Sequence, residues 1–150
     1  MRTIFLLYDA KSDSALRWRA WLDGQTKRCA IAFVPYQAPE SMARFAGIEP
    51  FCQGHELVAV GEDGAVYPGA SAYVCCLAAL DGFGEWAQRL AAPDVLPKAP
   101  IAGALLTLND RRLNRMMEGL SDQQFGWFLE NQTLSPAAPT TMKCTRERCR

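Results

Sequence analysis

The sequence predicts an α/β fold, a four-stranded mixed sheet with flanking helices and a helical C-terminal extension. Three observations predict it. Short apolar runs rich in β-forming residues alternate with segments whose apolar residues recur at helical spacing, in the order β-α-β-α-β-β-α. The first two runs are joined by one such helix, which suits a right-handed parallel crossover. The third and fourth are joined by Gly61-Glu62-Asp63-Gly64, a turn that closes an antiparallel hairpin.

Taken in order, Thr3–Tyr8 reads as a buried strand. Residues 9–14 are polar, and Ser12, Asp13 and Ser14 are each able to cap the following helix. In that helix Ala15, Trp18, Trp21 and Leu22 share a face, and Gly24 is a natural stop. Residues 30–34 form the second strand, ended by Pro35. Pro39 suits the first position of a short helix running to Phe45 and closed by Gly47. Residues 56–60 and 65–67 are the hairpin strands. After Gly69, Tyr73, Cys76, Leu77 and Leu80 follow helical spacing, and Phe83, Trp86, Ala87 and Leu90 repeat it. A connector with Pro93, Pro97 and Pro100 leads to a helix over 101–117. Ser121-x-x-Gln124 is a capping box for a last helix carrying Phe125, Phe128 and Leu129. Residues 1–131 thus make one domain. Residues 132–150 turn to Ser, Pro, Ala and Thr and then to a basic, cysteine-containing tail, expected to be flexible. The aromatic residues Trp18, Trp21, Trp86, Trp127 and Phe128 are expected in the core.

Hydrophobic residues make up 49% of the 150-residue chain, enough for a real core. The formal net charge is zero, so no bulk attraction to nucleic acid or to an anionic membrane is expected. From Lys143 onward, Lys143, Arg146, Arg148 and Arg150 against Glu147 give +3, which leaves −3 for the rest. No apolar run is long enough for a transmembrane helix, and the apolar start is too short for a secretory signal. A cytoplasmic location is the expectation. There six cysteines would be mostly reduced, and their irregular spacing argues against a disulfide framework.

Three stretches carry a resemblance. Leu6-Leu7-Tyr8-Asp9 precedes a turn and a Trp-bearing helix. Phe33-Val34-Pro35-Tyr36-Gln37-Ala38-Pro39-Glu40 joins the second strand to a helix. Leu57-Val58-Ala59-Val60 is followed by Gly64-Ala65-Val66-Tyr67-Pro68-Gly69-Ala70-Ser71-Ala72. In order and spacing these resemble the DCC family of thiol-disulfide oxidoreductases over residues 3–118, more weakly after Leu96. The resemblance implies a thioredoxin-like fold and an oxidoreductase ancestry. It breaks at the working end. Ala10 occupies the family's glycine position, Ser12 the first cysteine of Cys-x-x-Cys and Ala15 the second. A helix N-terminus stabilises a thiolate at the first position, and the second thiol resolves the mixed disulfide. A serine hydroxyl is far too weak an acid to stand in, and alanine removes the resolving step. Thioredoxin itself also has a proline just before its third strand, where this chain has Gln53-Gly54-His55, so the likeness is to the DCC branch.

The expectation is therefore a non-catalytic module that binds a protein or small molecule through the loop Asp9, Ala10, Lys11, Ser12 and Asp13. In this reading Ser12 is a plain helix cap, and Asp9 and Asp13 do turn and cap chemistry rather than acid–base work. Two alternatives remain open. Cys52 or the Cys144/Cys149 pair supplies displaced thiol chemistry, or Cys52, His55, Cys144 and Cys149 hold zinc, since Cys52-x-x-His55 has ligand spacing. No cofactor is otherwise expected. Cys76 falls in an apolar stripe and Cys75 beside it, so both are read as packing residues, as is Cys29 next to Lys27 and Arg28.

Overall fold

Among the described residues a single open sheet of four strands, in the order β2-β1-β3-β4, organises the fold. The computed structural model describes residues 2–130. Strand β1 (Thr3–Tyr8) is central and runs parallel to β2 (Ala30–Pro35), from Thr3 opposite Ala30 to Tyr8 opposite Pro35. On its other side β3 (Leu57–Gly61) is antiparallel, and β4 (Val66–Pro68) pairs back on β3. Helix α1 (Asp13–Asp23) makes the crossover between the parallel pair. The fold is α/β with a mixed sheet and flanking helices, as the periodicity predicts.

Strand residues alternate between two cores, the period-two consequence of the pleat. Leu6, Tyr8, Leu57 and Ala59 face one side; Leu7, Val58 and Val60 face the other. The first side is covered by α1, α4 (Ala70–Ala78), α5 (Gly84–Leu90), α6 (Ala99–Glu118) and α7 (Asp122–Glu130). Trp18, Tyr73, Trp86 and Phe125 fill it as tilted and edge-on aromatic pairs. Trp86 Nε1 donates to Asn114 Oδ1 at 2.6 Å, tying α5 to α6. The second side is covered by two single turns, α2 (Pro39–Met42) and α3 (Glu49–Cys52), and by Phe45 and Ile48.

Several boundaries differ from expectation. The helix expected to reach Phe45 stops at Met42; Arg44 and Phe45 bond three residues back, and Gly47 reverses the chain at φ +79°. The turn α3 was not anticipated; Pro50 sits in its first turn, where a missing N–H costs nothing. β3 begins at Leu57, which leaves Glu56 outside the strand. Helix α6 is broken at Asn109, whose φ of −162° is extended and whose Oδ1 caps the second half through Arg112 N–H at 3.2 Å. The Ser121/Gln124 box closes reciprocally, at 2.9 and 3.2 Å.

The expected core placement of Trp127 is corrected: it is 66% exposed, because α7 buries Phe125 and Leu129, four residues apart, and Trp127 lies between them on another face. Trp21 and Phe128 are half-buried against the core. Cys76 is fully buried, and Cys29, Cys52, Cys75 and Cys76 are all free thiols. The tail cysteines Cys144 and Cys149 lie outside the described residues.

Candidate functional site

The C-terminal end of β1 delivers the chain into the loop that precedes α1. Asp9 fixes that loop. Its Oδ1 accepts from Lys11 N–H and from Gln37 Nε2, both at 2.9 Å, and Gln37 Oε1 accepts from Ala10 N–H at 3.1 Å. The Lys11 backbone bond, then that from Gln37, holds the Asp9 carboxyl below its usual range. Asp9 thus does turn chemistry, as expected. Ser12 is the N-cap of α1: its N–H donates to Asp9 O at 3.0 Å, and its Oγ accepts from Ala15 N–H at 3.2 Å. Ala15 is fully buried beneath it.

The Ser12 hydroxyl proton goes to Oε2 of Glu56, and the Tyr73 hydroxyl donates to Oε1 of the same carboxylate at 3.4 Å. Glu56 therefore places a negative charge beside the first turn of α1, where the helix dipole favours it.

A cleft of about 540 Å³ opens here. Asp9, Ser12, Tyr36, Cys52, His55, Glu56 and Tyr73 line it. Ala10, Lys11 and Asp13, named with Asp9 and Ser12 as the recognition loop, do not line it; Lys11 and Asp13 are exposed. Cys52 and His55 do come together, through the turn in which His55 N–H donates to Cys52 O at 3.1 Å. Tyr36 hydroxyl donates to His55 O at 3.0 Å. The His55 ring lies against Gly69, where a Cβ would stand 2.6 Å from Nδ1 and where φ is +59°. Only glycine fits that close approach in that conformation.

Burial raises the Cys52 thiol pKa, the Tyr36 hydrogen bond opposes this and the Glu49 charge adds to it. Burial, then Cys52, pushes the Tyr36 phenol up; burial, then Glu56, does the same for Tyr73. Both phenols stay protonated at neutral pH and serve as donors. Chemically the site offers hydrogen bonds and negative charge. Among the described residues no group of three or more His, Cys, Asp or Glu could hold a metal ion, so Cys52 and His55 lack further ligands there.

Glu56, Tyr36, Tyr73, Gly69 and Pro100 were not singled out by sequence reasoning as site residues. Glu56 carried one usable signal, a single acid abutting the apolar run 57–60. Compared with protein-family models, curated proteins and solved structures, the chain finds no match. No helix among the described residues is long and apolar enough to cross a membrane.

Proposed function

We propose that this chain is a divergent, thioredoxin-like member of the DCC branch that binds a ligand at the α1 N-terminus instead of exchanging disulfides there. One observation carries the reading. The hydroxyl of Ser12, at the first cysteine position, is engaged on both sides, accepting from Ala15 N–H and donating to Glu56. It caps a helix and completes a network. Support for the fold comes from the parallel β1–β2 pair with its helical crossover, followed by an antiparallel hairpin that leads into α4. The cleft supplies the room for a ligand.

The test is insulin reduction driven by dithiothreitol. The whole chain is expected to add nothing to the rate of the dithiol alone. Turnover that disappears in Cys52→Ser, or in the Cys144→Ser/Cys149→Ser double variant, would overturn the binding reading in favour of displaced thiol chemistry. Cys52 keeps that alternative alive because it lines the cleft, although burial works against its thiolate. Stoichiometric zinc in protein purified without chelator, lost in Cys52→Ser, would favour the metal reading.

A further inference from the structure

The cleft at Glu56 is one lobe of a longer groove. A second cavity of about 680 Å³ opens beyond Glu56, Tyr73 and Pro100, which line both. Its far wall is α6, where Ile101, Ala104, Leu105 and Leu108 line it and Leu108 is 75% exposed. The two lobes differ in chemistry. In the first, the acidic side chains are Asp9 and Glu56, and no lysine or arginine lines it. Neither carboxylate enters the ion pairs among the described residues, which join Arg89 to Glu85 and Asp122, and Lys98 to Glu130. The nearby cations, Lys11 beside Asp9 and Arg17 in the second lobe, are exposed to solvent. The positive end of α1 is already answered by Ser12 and Glu56 and calls for no anion.

We infer that the groove binds an organic ammonium ion carried on an apolar body, its head at Glu56 and its body along α6. This rests on the binding reading above and names the class of ligand. The carboxylate accepts a charge-assisted hydrogen bond. The exposed aliphatic wall of α6 gains from covering an apolar chain.

Three probes of matched shape test it by isothermal titration: 4-phenylbutylamine, 4-phenylbutanol and 4-phenylbutyrate. The amine is expected to bind about tenfold more tightly than either of the others, the scale of one hydrogen bond to a charged group. Glu56→Gln, checked for native circular dichroism, removes the preference. Leu108→Ser, at an exposed position, weakens all three alike. Equal affinities, a preference for the carboxylate, or no binding by any probe overturns the inference. Those results leave the insulin assay to decide the binding reading separately: a redox-inactive chain without amine preference sinks this inference alone.

Discussion

The two faces of the sheet are built to different depths. One carries five helices and a continuous core from Leu6 through Trp18, Leu77 and Trp86 to Leu129. The other carries two single turns over Leu7, Val34, Ile48, Val58 and Val60. The cleft lies where they meet. Ser12, Tyr73 and Pro100 come from the deep side, whereas Tyr36, Cys52 and His55 come from the shallow side and its loops. Segments with few buried apolar contacts open locally at lower free energy than well-packed ones. The site therefore joins a fixed wall to a more yielding one.

Core truncations give the largest test of that contrast. Leu77→Ala on the deep side is expected to lose about 4 kcal/mol in urea unfolding, and Ile48→Ala on the shallow side about 2 kcal/mol, because a thin layer collapses more readily around a void. The reverse order would break the comparison.

Glycines sharpen it next. A Cβ on Gly103 would lie 2.6 Å from the Tyr73 ring and 3.3 Å from Trp18, so Gly103→Ala should cost about 1–3 kcal/mol through overpacking of the deep core. At Gly126 in α7 the nearest atom is 3.8 Å away, and Gly126→Ala should be neutral or add about 0.4–1 kcal/mol. Thermal unfolding of the pair separates close packing from mere helix propensity.

At the junction, Ser12→Ala removes the cap and should cost about 1 kcal/mol, with Ser12→Thr close to wild type. A Ser12→Cys chain, which supplies one thiol but leaves Ala15, is expected to form mixed disulfides without turning insulin over.

The smallest effect is on thiol chemistry. In a Cys144→Ser/Cys149→Ser background, mapped by mass spectrometry, Cys52 should alkylate before Cys76, which is fully buried and pushed up by that burial. Burial, then Cys29, pushes Cys75 up to about 11. The thiolate is the reactive form, so the Cys75 rate should rise with pH up to that value; a plateau near pH 9 would contradict it.

Legibility followed sequence distance. The Ser12 cap, the Ser121/Gln124 box and the stripe Tyr73, Cys76 and Leu77 were readable because each depends on residues within one or two turns. Glu56 was not, because its partners Ser12 and Tyr73 lie 44 and 17 positions away. Trp127 and Phe125 look alike in composition, and only the packing of α7 exposes one and buries the other. The break at Asn109 was hidden by apolar spacing that continues on both sides of it.

By itself, then, the sequence determined the order of the four strands, the caps at Ser12 and Ser121 and the absence of thiols at positions 12 and 15, since these depend on short-range backbone preference and on residue identity. Only the tertiary structure decided that Ser12 shares a carboxylate with Tyr73, that Cys52 and His55 line the same cleft, and that α6 adds an apolar wall. Such contacts arise when strand pairing brings distant segments to one edge of the sheet, and no local propensity encodes which side chains then meet.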